Sequence, residues 1–225
     1  MTYLYLDIET IPTQDDEVKR DIAANIRPPA SMKKEETIAK WEAEQKPDAI
    51  KEAIDKTSFD GAYGSVSCIG FAVDDSPVTS MSFPLNASGE RLLLGGFYDT
   101  VSDALNMSFP VIVGHYITGF DLRFLWQRSM VLGIRVPAWL PRDPKPWDAM
   151  VFDTMTAWAG ARDTIGLDRL CKAFGVGGKD GVDGSMVAGM FERGEHEAIA
   201  EYCRDDVERV RSIHRKMMKA LGEAA

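Results

Sequence analysis

The chain is short of cysteine, of histidine, of positive charge and of long apolar stretches, and each shortage narrows what it can be. Its 3 cysteines among 225 residues, Cys68, Cys171 and Cys203, lie far apart and form no Cys-x-x-Cys pair. Neither a disulfide framework nor a cysteine zinc site is therefore expected, and the three read as small buried residues of a reducing compartment. The histidines offer no zinc motif either: His196-Glu197 lacks a second histidine at Ala200, and His115 and His214 stand alone. Lys plus Arg number 26 against 35 Asp plus Glu, a net charge of −9, which disfavours a general nucleic-acid coat or a basic membrane-surface protein. Nucleic acid remains open as a substrate, because carboxylates that hold divalent cations add formal negative charge that the loaded site compensates. No apolar run approaches the roughly 18 residues of a membrane span, and Met1–Leu6 reaches Asp7 too soon for a signal peptide. A soluble, cytoplasmic protein with no membrane partner is expected.

What is present is a chain that can bury a core: 45% of its residues are hydrophobic, and 225 residues suit one elaborated domain or two small ones. Tyr3–Ile8 reads as a buried strand. From 12 to 60 the texture changes to charge-rich and helix-prone, broken at Pro28-Pro29 and at Pro47, with Ile38 and Trp41, then Ile50, Ala53 and Ile54, at helical spacing. The apolar stripe of this insertion is too thin to make a core alone. Ser65–Val73 and Val78–Phe83 then form a hairpin across the turn Asp74–Pro77. Glu90–Asn106 reads as a helix, Pro110–Gly114 as a strand, Phe120–Leu132 as a helix and Ala149–Met155 as a fifth strand. Leu167–Phe174 is a short helix, and Glu195–Leu221 a long last one. The expected class is α/β, a mixed five-stranded sheet with an antiparallel hairpin, flanked by helices.

Three features carry chemistry. Asp7 and Glu9 stand two apart on the first strand, so both project from one face. Such acids must be exposed at an edge, paired with bases, or bound to cations. Tyr202 and Asp206, four apart in the last helix, stack on one face, whereas Asp205 lies about 100° away. Asp121 opens a helix after the fourth strand, where an acid also complements the helix dipole. Singly, each has a structural explanation; together, in this order and fold context, they can bring four carboxylates to one place.

On Asp7-Ile8-Glu9-Thr10, on Gly114-His115 through Phe120-Asp121-Leu122, and on Tyr202-x-x-x-Asp206, the chain resembles the DnaQ-like, or DEDD, 3′-to-5′ exonucleases, in the branch whose third motif carries a tyrosine. Gly166–Leu170, Gly178–Gly184 and the insertion are similar to stand-alone exonucleases related to the proofreading domains of family-B polymerases. The resemblance implies a ribonuclease H-like fold over 1–225 as a single exonuclease domain, with 12–60 inserted within it and no polymerase segment. It implies hydrolysis of single-stranded DNA or frayed 3′ ends to nucleoside 5′-monophosphates, with two Mg²⁺ or Mn²⁺ ions. Asp7 would bridge both ions, Glu9 and Asp206 would hold the one that activates water, Asp121 the one under the leaving group, and Tyr202 would orient the water. Thr10 and Ile11 would grip the terminal nucleotide through their backbone, Phe120 would stack near the penultimate base, and His115 would also bind substrate. Where the family often has asparagine, Tyr116 stands here, to stack on a base or to pack in the core. Lys179, in a glycine-rich loop, would touch phosphate or stay solvated. That loop fails the P-loop pattern at Ala173 and Asp180.

The alternatives are an RNA exonuclease of the same fold and a non-catalytic nucleic-acid-binding module. A replication or repair protein is a possible partner. The insertion, with Arg27, Lys33 and Lys34 about Pro28-Pro29, is either a flap over the site or an exposed helical decoration.

Overall fold

The structure, a computed structural model, describes residues 1–82, 87–160, 162–178, 181 and 183–222, with 87 and 88 as backbone only. Lys179 and Phe83 therefore lie outside the described residues.

The first strand, β1 (Tyr3–Ile11), runs three residues past its expected end, so Asp7 and Glu9 lie within it rather than at its tip. The insertion follows as α1 (Asp16–Asn25), α2 (Glu35–Glu44) and α3 (Lys46–Asp55), closed by a 3-10 turn, Lys56–Phe59. Pro47 marks the start of α3, where its missing N–H costs nothing. Next come β2 (Ser65–Val73), β3 (Thr79–Ser82), α4 (Ala87–Leu105), β4 (Val111–Gly114) and α5 (Asp121–Leu132).

The fifth strand is shorter than its sequence suggests. β5 spans Val151–Asp153, and Thr154 and Met155 belong to a helix, α6 (Thr154–Ala159). The reason is a cap: the Asp153 carboxylate accepts from the backbone N–H of Met155 and Thr156, which turns an apolar run into a helical first turn. α7 (Leu167–Phe174), α8 (Val187–Glu192) and α9 (His196–Leu221) complete the chain; α8 was not anticipated.

The strands form one mixed sheet in the order β3-β2-β1-β4-β5. β2 lies antiparallel to β1 and β3, whereas β4 lies parallel to β1 and β5. Strand alternation divides β1 between two cores. Leu4, Leu6 and Ile8 pack under α4 and α5 with Leu93, Phe97, Leu122 and Phe124. Tyr3 and Tyr5 face the other way, against Leu170 of α7 and Val207, Val210 and Ile213 of α9. Asp7 and Glu9 share the parity of Tyr3 and Tyr5, so the period of 2 aims both acids at α9.

Two buried polar groups tie the layers. The Glu90 carboxylate accepts from the Val66 N–H (2.9 Å) and from Arg128 Nε (2.9 Å) and Nη2 (2.7 Å), while Arg128 Nη1 donates to the Gly61 carbonyl (3.0 Å). This locks the segment leading into β2 onto α4 and α5. On the opposite face His214 is fully buried among the rings of Tyr3, Tyr5 and Phe152, with Nδ1 3.0 Å from the Tyr5 hydroxyl. Burial, and to a lesser extent Arg215, lowers its pKa to about 4, so it is neutral near pH 7. No helix among the described residues is long and apolar enough to cross a membrane.

Candidate active site

The site forms where β1 outruns its neighbour. β1 pairs with β4 only through Tyr3↔Val111, Leu4↔Ile112 and Tyr5↔Val113, and β4 ends at Gly114. Beyond Tyr5 the β4-facing edge of β1 is open, and ligand sites of α/β sheets gather beyond such strand ends. The first residue of α5 fills the gap: Asp121 Oδ1 accepts from the Ile8 N–H at 3.1 Å. Asp121 is 5% exposed. Burial, reinforced by the charge of Asp153, raises its pKa to about 7 against the hydrogen bonds from its own and the Ile8 backbone. A carboxyl held at that threshold gains its full charge when a cation arrives.

On the other edge a bulge adjusts the strand. The β1–β2 register slips between Glu9↔Cys68 and Thr10↔Val66, which leaves Ser67 extra on β2, and its Oγ donates to the Glu9 carbonyl at 3.0 Å. Bulges of this kind re-aim side chains beside active sites.

The helix α9 reaches the acids because Gly70, opposite Asp7, has no side chain. A Cβ there would stand 2.9 Å from both the carbonyl and the Sγ of Cys203, and 3.0 Å from Val207 Cγ2. At this approach one ligand atom each of Asp7, Glu9 and Cys203 falls within 4.8 Å of the others. Tyr202, 8% exposed, hydrogen-bonds Asp206 one turn on. Its phenol is pushed well up, first by burial and then by the charges of Asp206, Glu9 and Asp7. Asp7, Glu9, Tyr202 and Asp206 thus share one electrostatic environment, with Asp121 anchored to the same strand at Ile8. Asp205 faces away, with 58% of its side chain exposed.

Three neighbours were missed by sequence reasoning. Cys203 Sγ lies 3.6 Å from both Oδ2 and the carbonyl of Asp7, and burial, then Cys68 and the acids, raises the thiol well above its usual range. The thiol donates toward Asp7, and the carboxylate oxygens beside it are the donors that suit hard divalent ions such as Mg²⁺. Arg209 Nη1 donates to Asp206 Oδ1 at 2.8 Å, and Nη2 to the Gly178 carbonyl at 3.2 Å, which joins the glycine-rich loop to α9. The i, i+3 spacing of Asp206 and Arg209 could have signalled that pair. Asp153, 2% exposed, accepts from Tyr116 N (3.0 Å), Thr118 N (3.2 Å) and Thr118 Oγ1 (2.8 Å), and so shapes the loop before Asp121.

The residues expected to touch substrate are dispersed around this centre. Thr10 Oγ1 donates to the Ser58 carbonyl at 2.8 Å, and the Ile11 side chain is fully buried. His115 spends both ring nitrogens inside the chain, on Thr154 Oγ1 (3.0 Å) and on the Ile165 carbonyl (2.8 Å). Phe120 is half-buried and meets Phe124 and Phe59. Tyr116 adopts φ 60°, a left-handed conformation that asparagine enters more readily than tyrosine. Its half-exposed ring lies over Gly119, where an added Cβ would stand 2.2 Å from the ring.

Comparison with known proteins bears on the fold and the family. No curated protein sequence matches the chain. The chain superposes on the structure of the family B DNA polymerase from the hyperthermophilic archaeon Pyrobaculum calidifontis with a TM-score of 0.61 and 18% identity, covering 97% of this chain and 24% of the polymerase chain. That likeness establishes the fold, the ribonuclease H-like arrangement that the motifs imply. A protein-family model described as "Predicted 3'-5' exonuclease related to the exonuclease domain of PolB" matches residues 63–223, which include Asp121, Tyr202 and Asp206, while Asp7 and Glu9 precede the match. With more than half of its length matched, the chain belongs to this family of predicted 3′-5′ exonucleases related to the exonuclease domain of PolB.

Proposed function

We propose that the protein is a divalent-cation-dependent 3′-to-5′ exonuclease of the tyrosine type, which removes nucleoside 5′-monophosphates from single-stranded DNA or frayed 3′ ends. The observation that carries this reading is the convergence of Asp7 and Glu9 on β1 with Tyr202 and Asp206 on α9, beside an Asp121 held to Ile8.

Asp7, Glu9, Asp121 and Asp206 would hold two Mg²⁺ or Mn²⁺ ions; the donors fit, because they are oxygens and buried Asp121 is poised to ionise against a cation. Bound ions of this kind supply a nucleophilic hydroxide near neutral pH and neutralise charge on the leaving oxygen. The chain's own share is positional. Tyr202, whose raised pKa keeps its proton on oxygen, orients the attacking water rather than deprotonating it. The backbone at Thr10 and Ile11 leads the terminal nucleotide past Glu9, and Phe120 offers an aromatic face beside Asp121.

The test is degradation of matched DNA and RNA oligonucleotides with Mg²⁺, with Mn²⁺ and with EDTA, scored by release of mononucleotides. Faster, metal-dependent release from the DNA strand is expected. Faster release from RNA would transfer the activity to that substrate. Binding without release would leave a non-catalytic nucleic-acid-binding module.

A further inference from the structure

We propose that Phe59, supplied by the insertion, is a stacking platform for an unpaired nucleobase upstream of the 3′-terminal nucleotide. This rests on the exonuclease reading and names how the same site would select single strands.

Phe59 is 73% exposed although the backbone on both sides of it is held by hydrogen bonds. A loose loop would fold such a ring away, but this one is pinned throughout. Thr57, itself buried, accepts from the Thr13 N–H (2.8 Å) and donates to the Ile54 carbonyl (2.6 Å). The Ser58 carbonyl takes the Thr10 hydroxyl (2.8 Å), and Ser58 Oγ donates to the Asp55 carbonyl (2.7 Å). The Asp60 N–H closes the turn on the Thr57 carbonyl (3.0 Å).

These bonds place the ring at the site's edge. Its backbone neighbour Ser58 is bonded to Thr10, which follows Glu9, and the ring itself stands edge-on to Phe120, which precedes Asp121, with centroids 6.3 Å apart and planes at 61°. Phe59 and Thr10 also line a cleft of about 430 Å³ between the insertion and α8, within the size range of pockets that accept small organic groups. An aromatic ring presented beside a phosphodiester-cleaving centre fits a base that has lost its partner. Bases inside a duplex, already stacked and paired, present no free face to it. Phe59 is joined to the site through Ser58, which is bonded to Thr10, and through Phe120, so it is set back from the acids and serves a base behind the one being removed.

The test uses the full chain with Phe59→Ala and Phe59→Trp. Binding of a fluorescein-labelled single-stranded oligonucleotide is read by anisotropy in an Asp7→Ala background, where the strand stays intact. KM and kcat are read in the active background on the same strand and on thymidine 5′-(p-nitrophenyl phosphate), which carries a single base. Phe59→Ala should weaken strand binding and raise KM by about tenfold, Phe59→Trp should restore both, and hydrolysis of the ester should be unchanged. Wild-type strand affinity in Phe59→Ala overturns the proposal. So does equal loss on the ester, which would make Phe59 a structural residue, or a dimer that dissociates in Phe59→Ala, which would give the ring to a second copy of the chain. If the parent binds strands but cleaves none, the exonuclease reading falls while the anisotropy series still decides the role of Phe59.

Discussion

The Ile8 N–H donates to Asp121 Oδ1 at 3.1 Å, so an acid on α5 completes the hydrogen bonding of the central strand at the point where β4 has ended. Asp121 therefore has two separable jobs, a structural acceptor and a charge. Asp121→Asn keeps the acceptor, and in EDTA at neutral pH it should melt at or above the wild-type temperature, since the carboxyl it replaces is costly to ionise there. Asp121→Ala orphans the Ile8 N–H and should lose about 1–3 kcal/mol. Both should lose cation-dependent hydrolysis. Equal melting of the Asn and Ala variants would contradict the structural half of this assignment.

Gly70 sets the distance between α9 and the sheet. Gly70→Ala places a methyl 2.9 Å from the Cys203 carbonyl, a backbone atom that cannot swing aside, so α9 must move. Overpacking of this kind costs about 1–3 kcal/mol. Because Tyr202 and Asp206 ride on α9, turnover should fall further than stability alone explains. Thermal melts paired with initial rates check this; an unshifted melt with full turnover would show that the helix does not depend on the glycine.

Tyr202 buries its ring and presents its hydroxyl to Asp206. Tyr202→Phe keeps the packing and removes the oxygen, so stability should change by about 1 kcal/mol or less while the rate falls by about a hundredfold. Cation affinity, followed by calorimetric titration with Mn²⁺, should be retained. A variant with the wild-type rate would remove the hydroxyl from the reaction.

His214 makes stability depend on pH. Its pKa is about 6.5 when unfolded and about 4 when folded, so the unfolded chain binds the extra proton between those values. The contribution is complete above about pH 6.5 and is lost as pH falls toward 4, amounting to roughly 3 kcal/mol. Urea unfolding at pH 7.5, 5.5 and 4 should show this decline, and His214→Gln should flatten it. An unchanged slope in that variant would place the acid sensitivity elsewhere.

Much of this was legible in the chain, for reasons that can be named. Ser65–Val73 and Leu167–Phe174 match their expected limits, the first a long run rich in β-branched and aromatic residues, the second closed by Gly166 and Gly175. The acids on β1 and the Tyr202–Asp206 pair follow from periods of 2 and 3.6. Thr154 and Met155 read as strand because an apolar run does not distinguish strand from helix; the signal that does is Asp153, a cap before Thr154. α8 is only 6 residues long, so Val187, Met190 and Phe191, though at helical spacing, amount to a single i, i+3, i+4 repeat, too short a pattern to mark a helix. The nearness of Cys203 to Asp7, allowed by Gly70, joins residues nearly two hundred positions apart and has no local signature.

The most direct measurement follows a 5′-labelled single-stranded DNA oligonucleotide incubated with the wild-type chain and with the Asp7→Ala, Glu9→Ala double variant, in Mg²⁺, in Mn²⁺ and in EDTA. A ladder shortening from the 3′ end, dependent on the metal and absent in the double variant, is the result these residues predict. An immediate release of the labelled mononucleotide would reverse the polarity, and a ladder equally strong in the double variant would place the chemistry outside Asp7 and Glu9.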